Sequence, residues 1–391
     1  MRILVVLPRF PYPLEKGDKL RAYHQVRYLS RNHEVYLFCV SHQSVGDEQL
    51  RALEPYCKGI KVVHLNRWVC YKNTIRNYFF AKSLQLGYWD SGKSRRAYRA
   101  YESEVKPDVV YNQMVRTMPL VARSQVPKVM DFQDALSMNT ERRMESTRPG
   151  PWRYLLHYEF KMLRSSEYNA FKIFNGLTII SETDSQAVPH TKNGYIDIVP
   201  NGVDTEYYSP VDEPKLYDII FCGNMQYQPN VDAAQFLVNE VLPLVKNAIG
   251  PIKVLLAGAE PTFAVRRLTS DDVTVTGWVD DMRKCYAQSK VFVAPMRIGS
   301  GLQNKLLEAM SMQLPCITTS LANASLGAID GSEVLVANDS QTIADAIVNL
   351  LSNESQRMAL AKAGHEFVLR NYNWDVVGAK LEQILINAAN Q

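Results

Sequence analysis

The sequence predicts an α/β protein built from two doubly wound domains, and three observations lead to this fold class. With 391 residues, the chain exceeds the size at which one hydrophobic core is usual. Short β-branched apolar runs alternate with amphipathic stretches, which is typical of parallel strands joined by helices. This series stops at a turn-rich segment, Pro200 to Pro214, and then restarts. We therefore expect two parallel sheets.

The predicted strands assign residues 1–200 to an N-terminal domain and residues 201–373 to a C-terminal domain. Residues 374–391 are predicted to form an amphipathic helix beyond the second sheet. Two such domains facing each other leave a cleft at the carboxyl ends of their strands, where ligands bind in sheets of this kind. The expected strands are Ile3–Leu7, Val35–Val40, Ile60–Leu65, Val109–Asn112, Lys128–Asp131, Leu177–Ile180 and Ile196–Val199, then Asp218–Cys222, Lys253–Ala257, Val273–Thr276, Val291–Ala294 and Cys316–Thr319.

Composition and charge exclude several classes of protein. The formal net charge of +4 is too small to indicate a nucleic-acid partner. The six cysteines are scattered without a Cys-x-x-Cys pair, so we expect buried thiols in a reducing compartment rather than disulfides or structural zinc. The apolar run Ile3 to Leu7 is too short for a signal peptide, and no run is long enough to span a membrane. These features predict a cytoplasmic protein that contacts a membrane at most from its inner face.

One segment of the N-terminal domain is both basic and aromatic. Between Lys58 and Ala100 there are ten Lys or Arg residues and a single acid, Asp90, with Trp and Tyr side chains interleaved. This mixture suits peripheral contact with an anionic membrane surface or a lipid phosphate. The alternative is a pair of solvated helices whose aromatic side chains fill the domain core.

The most informative stretch follows a predicted strand of the C-terminal domain and runs from Ala294 to Met310. It contains a Gly-Ser-Gly turn and then a helical pattern. Glycines at a strand end let backbone N–H groups approach an anion, and a helix N-terminus adds partial positive charge. Lys305 and Glu308 are three residues apart and so share a helical face, which would suit a diphosphate and a ribose. The alternative is a surface salt bridge beside a tight turn.

Several motifs in the correct order resemble glycosyltransferase family four, whose members are retaining enzymes with the GT-B fold of two Rossmann-like domains. The resemblance implies that the C-terminal helix, residues 374–391, crosses back to the N-terminal domain. A smaller group in this family, the sugar transferases of bacterial exopolysaccharide systems, shares a Lys-Gly-Asp-Lys opening and a Gly-x-Met-x-x-x-Pro-Asn segment. The segments that carry the resemblance are Pro11–Pro13, Lys16–Lys19, Ile198–Asp204, Gly223–Asn230, Ala294–Met310, Leu314–Thr319 and Asn373–Trp374.

The resemblance implies transfer of a sugar from a UDP- or GDP-sugar donor to a glycan or lipid-linked acceptor in exopolysaccharide biosynthesis. Glu308 matches the second glutamate of the family's Glu-x7-Glu motif and would accept hydrogen bonds from the donor ribose. The first glutamate is replaced by Ser300, so the backbone amides of Gly299, Ser300, Gly301 and Leu302 are expected to take over recognition of the sugar ring.

The remaining site residues are also assigned through the resemblance. Many relatives bind the diphosphate through an Arg and a Lys after the first strand of the C-terminal domain, but the segment here has neither. Arg297 and Lys305 are the best-placed substitutes, because a departing nucleoside diphosphate needs positive charge. The other candidates for the donor are Gly17 and Asp18, which are expected in the loop after the first strand, together with Gly223 and Asn224. Asp134 would lie near sugar and acceptor, unless it only caps a helix.

Other activities are weakly indicated. Residues 87–94 formally match a nucleotide phosphate loop, but bulky Tyr88 and Trp89 fill it and the preceding residues read as a helix. No metal site is expected, since the histidines lack ligand spacing and no Asp-x-Asp occurs, and no cofactor is expected beyond the donor itself. Two alternatives remain open: a nucleotide-sugar epimerase on the same fold, and a catalytically silent protein of glycan assembly.

Overall fold

The computed structural model describes residues 1–80, 82–191, 194–299 and 301–391. The chain divides into two compact units. The first comprises residues 1–200 and 377–391, and the second comprises residues 201–376. Each unit contains one parallel β-sheet with its connecting helices.

The first unit has a seven-stranded parallel sheet in the order β3-β2-β1-β4-β5-β6-β7. The order reverses between β1 and β4, because the chain leaves β1 towards β2 on one side and later adds β4 on the other. The strands are β1 (Arg2–Leu7), β2 (Glu34–Ser41), β3 (Gly59–His64), β4 (Val109–Gln113), β5 (Lys128–Asp131), β6 (Gly176–Ile179) and β7 (Asp197–Ile198).

The helices of this unit connect successive strands. Short 3₁₀ turns cover Glu54–Tyr56 and Val115–Thr117. The α-helices are α1 (Gly17–Leu29), α2 (Asp47–Arg51), α3 (Arg67–Phe79), α4 (Leu84–Trp89), α5 (Gly92–Val105), α6 (Met118–Val121), α7 (Leu136–Glu145), α8 (Pro151–Ile173) and α9 (Glu182–Ala187). The segment 87–94 therefore lies at the junction of α4 and α5 and follows no strand, unlike a nucleotide phosphate loop.

A buried ion pair ties α1 to the centre of the first sheet. Arg21 and Asp131 are both fully buried, with Arg21 Nε 2.7 Å from Asp131 Oδ2. The same guanidinium donates to the carbonyls of Val199 and Pro200, and Tyr111 donates its hydroxyl to Asp131. Burial acts to lower the pKa of Arg21, but the Asp131 carboxylate outweighs it and raises the pKa. Because both charges are fully used inside the unit, Asp131 acts as a structural residue.

The second unit has a six-stranded parallel sheet in the order β10-β9-β8-β11-β12-β13, which reverses between β8 and β11. The predicted strands are all present, and β13, which has only two residues, was not predicted. The strands are β8 (Tyr217–Cys222), β9 (Val254–Ala257), β10 (Val273–Val275), β11 (Ser289–Ala294), β12 (Cys316–Thr318) and β13 (Leu335–Val336).

The helices of the second unit begin with α10, which runs through a π-helical turn, Leu237–Val241, into α11. The last helix, α18, starts in the second unit, and its residues from Val377 onwards pack with the first. No helix in the described part of the chain is long and apolar enough to cross a membrane. The helices are α10 (Gln228–Phe236), α11 (Leu242–Ile249), α12 (Phe263–Arg266), α13 (Met282–Ala287), α14 (Asn304–Ser311), α15 (Ser320–Leu326), α16 (Ser340–Ser352), α17 (Glu354–Asn371) and α18 (Trp374–Ala389).

The predicted fold class is confirmed by these two sheets. Strands such as Ile3–Leu7 are buried along their whole length, as expected when helices cover both faces of a parallel sheet. The reversal of strand order in each sheet is the feature that defines a doubly wound fold. It also marks the edge where ligands bind in such sheets, outside the carboxyl ends of the two central strands.

Candidate active site

The reversal of strand order in the second sheet brings together the two loops that the sequence singled out. One loop follows β8 at residues 223–227, and the other follows β11 at residues 295–303. Since β8 and β11 are parallel neighbours, both loops leave the same edge of the sheet side by side. This edge is the expected ligand site of a doubly wound domain.

The loop after β11 leads into α14 and contains two glycines with unusual backbone conformations. Gly299 has φ +118° and Gly301 has φ +79°, backbone conformations that residues with a Cβ rarely adopt. Leu302 is half-buried and packs against the core of the unit, which anchors the end of the turn. Ser300 lies outside the described residues, so the consequence of its replacing a glutamate stays a prediction.

Lys305 lies in the first turn of α14 and reaches across to the start of α10. Its Nζ donates to Asn230 Oδ1 at 2.5 Å, is 3.8 Å from Met296 Sδ, and lies 4.7 Å from the centre of the Phe221 ring. Burial lowers its pKa from 10.5 to about 8, although Cys222 and Glu308 act in the opposite direction. None of the three contacts is a carboxylate, so the ammonium can attract an anion from solution.

Glu308 lies one turn further along α14 and is held by Tyr286 of α13. The Tyr286 hydroxyl donates to Glu308 Oε2 at 2.8 Å and is 3.0 Å from Cys222 Sγ. Burial raises the pKa of Glu308, while the Tyr286 hydroxyl and Lys305 oppose the shift. Within the described part of the chain, no group donates a hydrogen bond to Oε1. The carboxylate is thus oriented by one oxygen and can accept a ligand hydroxyl with the other.

The lowered pKa of Lys305 predicts how activity depends on pH. If the ammonium binds a diphosphate, only the protonated lysine is competent, so kcat/KM should fall as pH rises through about 8. A guanidinium stays charged over this range. We therefore expect pH–rate profiles of the Lys305→Arg variant to lack the basic limb seen in the wild-type enzyme. The same basic limb in both proteins would show that another group titrates.

Arg297 has different partners from Lys305. Its guanidinium forms ion pairs with Asp232 at 2.8 Å and with Glu240 at 3.3 Å, and it lies 4.2 Å from the centre of the Phe236 ring. Asp232 contributes most to raising the pKa of Arg297. Two carboxylates already balance this cation, so the contacts favour a structural role. The sequence could not show this, because Asp232 and Glu240 are distant from Arg297 along the chain.

The loop after β8 is shaped by Asn230 rather than by a charged residue. Gly223 has φ +152°, and a Cβ at this position would come within 2.7 Å of Asn230 Nδ2. Asn230 is buried and donates to the carbonyl of Asn224 at 2.8 Å while accepting from Lys305. The side chain of Asn224 is exposed and accepts from the Gln226 amide. Asn230 therefore joins this loop to Lys305.

The residues predicted in the first unit lie at the carboxyl edge of its sheet. Gly17 and Asp18 were expected in a loop, but they form the first turn of α1, and Asp18 pairs with Arg9 at 3.1 Å. Asp134 follows β5 and accepts from Asn139 at 2.7 Å. Burial raises the pKa of Asp134, and nearby Asp184 adds to the shift. Asp134 precedes α7, but in the described residues its side chain accepts no capping hydrogen bond from the first amides of this helix, so helix capping does not explain it.

Sequence reasoning missed two residues of the second-unit site, Tyr286 and Asn230. Asn230 is the last residue of the Gly-x-Met-x-x-x-Pro-Asn segment. The sequence therefore contained a signal for this residue, but the signal did not indicate what the side chain does. Tyr286 belongs to a short helix before β11 and gave no signal, because only the fold places its hydroxyl beside Glu308.

Comparison with known proteins places this site in a known domain. Residues 217–353 match the family described as Glycosyl transferases group 1. An uncharacterized 44.6 kDa protein from the cps region of Klebsiella pneumoniae is 22% identical over 95% of this chain and 96% of its own length. A GDP-mannose-dependent phosphatidylinositol monomannoside mannosyltransferase from Mycobacterium tuberculosis is 26% identical over 49% of this chain and 55% of its own length.

Solved structures agree with this assignment at the level of the fold. Anabaena HepE, solved in complex with UDP, covers 99% of this chain and 100% of its own with a TM-score of 0.68 and 13% sequence identity. The likeness extends over both units. The protein is thus a glycosyltransferase with the GT-B fold, and its second unit carries a glycosyl transferases group 1 domain.

Proposed function

We propose that this glycosyltransferase is a retaining enzyme that transfers a sugar from a UDP- or GDP-sugar to a glycan or lipid-linked acceptor in exopolysaccharide biosynthesis. The observation that carries the proposal is the pair Lys305 and Glu308 at the reversal of the second sheet. Among the residues that the structure describes, no carboxylate forms an ion pair with Lys305, and Glu308 is oriented through one oxygen while its other oxygen accepts no hydrogen bond. This pair suits the diphosphate and ribose of a nucleotide-sugar.

The relatives support the donor class and the pathway without narrowing them further. One relative is named as GDP-mannose-dependent, and HepE was solved with UDP, so both nucleotides belong in the proposal. The full-length relative from a cps region supports a role in polysaccharide biosynthesis. These are properties of the relatives, and the experiment below tests them for this chain.

The proposed chemistry requires little of the protein beyond orientation and charge. The bond between the sugar C1 and the phosphate oxygen breaks, and a bond from C1 to the acceptor oxygen forms on the same face. The departing phosphate takes the acceptor proton. Lys305 stabilises the negative charge that develops on the diphosphate, and Glu308 fixes the nucleoside through its ribose. In this proposal Lys305 alone provides the positive charge for the departing diphosphate, and no metal ion is required.

The proposal is tested by incubating the purified protein with UDP- and GDP-sugars, with and without a lipid extract that supplies the acceptor. We expect release of nucleoside diphosphate that depends on the acceptor, with the donor's anomeric configuration kept in the product. A changed sugar without acceptor would indicate the epimerase instead. Donor binding without turnover on any acceptor would indicate the silent assembly protein.

We also propose that the first unit contacts an anionic membrane through a defined aromatic surface. This surface comprises exposed side chains of α3, of Phe80 directly after it, and of the start of α8. The ring of Tyr78 lies 4.9 Å from that of Tyr158, which places the two helices side by side. Trp68 and Phe79 are 75% and 79% exposed, so they do not fill the core. The aromatic surface consists of Trp68, Tyr71, Ile75, Tyr78, Phe79, Phe80, Trp152 and Tyr154.

Basic side chains surround the aromatic surface and favour an anionic partner. Arg67, Lys72, Arg76 and Lys82 are all exposed, and no acidic residue lies between them in the sequence. Aromatic rings suit the membrane interface, and each basic residue near an anionic surface adds about 1 kcal/mol of attraction. The combination favours a lipid surface at the inner face of the membrane over a purely solvated helix.

From this surface we predict that the protein binds vesicles and that salt, or substitution of an aromatic residue, weakens this binding. Replacing Phe79 by Ala should reduce co-sedimentation with phosphatidylglycerol vesicles about tenfold, since burying an aromatic side chain is worth about 1.5–3 kcal/mol. The matched control is Phe263→Ala in the second unit, because Phe263 is 75% exposed. Wild-type protein should bind less at high salt and should not bind neutral vesicles. Equal binding to neutral and anionic vesicles would contradict the proposal.

A further inference from the structure

Arg116 lies where the strand order of the first sheet reverses. It belongs to the 3₁₀ turn that directly follows β4, and β4 is the parallel neighbour of β1. Ligands of doubly wound sheets bind beside these strand ends. Thr117 fixes the turn by donating its hydroxyl to the carbonyls of Gln113 and Met114. Arg116 is thus held at the ligand-binding edge of the first unit.

The backbone beside this residue has a conformation that side chains rarely adopt. Met114 has φ +65°, and Gln133, which precedes Asp134 at the end of the neighbouring strand β5, has φ +64°. Neither is a glycine, so each conformation costs free energy that the surrounding contacts must supply. Such conformations cluster at functional sites, and here they occur two residues before Arg116 and one residue before Asp134.

The guanidinium of Arg116 is partly buried, and the side chain that accepts its hydrogen bonds is neutral. Its Nε and Nη2 both donate to Gln85 Oε1, at 3.2 and 3.0 Å, and Nη1 reaches only Met114 Sδ at 4.0 Å. No carboxylate forms an ion pair with it in residues 1–80, 82–191, 194–299 and 301–391. Burial lowers the pKa of Arg116, and the charge of Arg9 adds to this effect.

The acids around Arg116 are committed to other partners. Glu159 accepts from the Ser83 hydroxyl and from the amides of Leu84 and Gln85, so it caps α4. Asp18 pairs with Arg9. Asp134 accepts from Asn139, and its charge acts on Arg116 only from beyond ion-pair distance. In the described part of the chain, this partly buried cation therefore lacks the close anion that would normally neutralise it.

From this arrangement we infer that Arg116 binds an oxyanion of the acceptor, either a phosphate or a carboxylate. The guanidinium offers a planar pair of donors to such a group, and its free N–H groups supply the hydrogen bonds. An anion at this position would supply the missing negative charge and would lie at the same sheet edge as Asp134. The assignment to the acceptor rests on the proposed function, whereas the anion site itself does not.

The inference is tested by titrating inorganic phosphate and acetate into Lys305→Met protein at constant ionic strength, followed by calorimetry. This background removes the cation proposed for the donor diphosphate, so phosphate binding that then depends on Arg116 can be assigned to the first unit. Adding Arg116→Gln should weaken binding of the preferred anion at least about tenfold, because hydrogen bonds to charged groups are worth about 1.5–3 kcal/mol. Adding Arg123→Gln, at an exposed arginine in the same stretch, should leave binding unchanged.

Arg116→Lys keeps the positive charge and serves as a second variant in case the glutamine variant does not fold. Because an ammonium offers no planar pair of donors, this variant should bind the anion more weakly than the protein with Arg116 but more tightly than the glutamine variant. A folded and stable lysine variant that binds no more tightly than the glutamine variant would overturn the inference. Equal binding in the Arg116→Gln and Arg123→Gln proteins, or no binding of either anion to the Lys305→Met protein, would also overturn it. A preference for dihexanoyl phosphatidic acid below its micellar concentration would identify a lipid phosphate as the source, and a preference for acetate would identify a carboxylate.

The same variants separate this inference from the proposed function. Binding of the donor nucleotide depends on Lys305 and Glu308 in the second unit and should be the same in the Arg116→Gln single variant as in the wild-type protein. Loss of phosphate binding in the Lys305→Met background, together with normal nucleotide binding in the single variant, is the expected result. Intact phosphate binding at Arg116 in a protein that binds no nucleotide-sugar would leave the anion site standing and the proposed function contradicted.

Discussion

Replacing Lys305 by Met should lower kcat for sugar transfer by about 100- to 1000-fold, the typical cost of removing one charge-stabilising donor from an active site. The lysine is the cation that the proposal places on the departing diphosphate, and Arg297 is already balanced by Asp232 and Glu240. Steady-state kinetics with the preferred donor measure the effect. The matched control is Lys284→Met, which removes the same charge from an exposed position on α13 and should keep normal turnover.

The same substitution should leave the fold intact. Burial lowers the pKa of Lys305 to about 8, so near pH 7 the folded protein carries an ammonium whose charge burial disfavours. Methionine has a similar length and can pack against Phe221 and Met296. We expect the melting temperature of the Lys305→Met protein to equal or exceed that of the wild type. Low activity with a strongly lowered melting temperature would instead indicate that Lys305 has a structural role.

Replacing Glu308 by Gln should lower kcat/KM about 10- to 100-fold, mainly through weaker donor binding. The amide oxygen can still accept from the Tyr286 hydroxyl, so the local packing is kept. What is lost is the charge on the oxygen that would accept from the ribose, and hydrogen bonds to charged groups are worth about 1.5–3 kcal/mol.

Two comparisons sharpen this second prediction. Glu366→Gln, on the exposed side of α17, removes the same charge away from the site and should have no effect. A nucleotide without the ribose hydroxyls should bind the wild-type enzyme and the Glu308→Gln variant with similar affinity. If the variant discriminated against it as strongly as the wild type does, Glu308 would not contact the ribose.

The sequence predicted most of the fold because both sheets are encoded in continuous apolar strands. Runs such as Ile3–Leu7 and Val291–Ala294 need no partner to be recognised. Strand β13 was missed because its two residues carry no periodic pattern. Gly17 and Asp18 were predicted to lie in a loop because nothing in the sequence marks the start of α1. Its N-cap residue, Lys16, makes no side-chain capping hydrogen bond.

The candidate site was predictable where one short segment holds it and unpredictable where distant segments meet. The turn and helix from Gly299 to Glu308 lie within a single stretch, so the spacing alone put Lys305 and Glu308 on one face. The partners of Arg297 come from another helix, and the role of Arg116 depends on the acids around it being used elsewhere. Only the folded chain shows such pairings, since they join residues far apart in sequence.

The most direct test of the central claim is calorimetric titration of UDP and GDP into the wild-type protein and into the Glu308→Ala variant. We predict that the wild-type protein binds one of the two nucleotides and that this binding is lost or strongly weakened in the variant. That result would place the donor nucleotide at the edge formed by β8 and β11. Equal binding to both proteins, or no binding of either nucleotide to the wild type, would contradict the account.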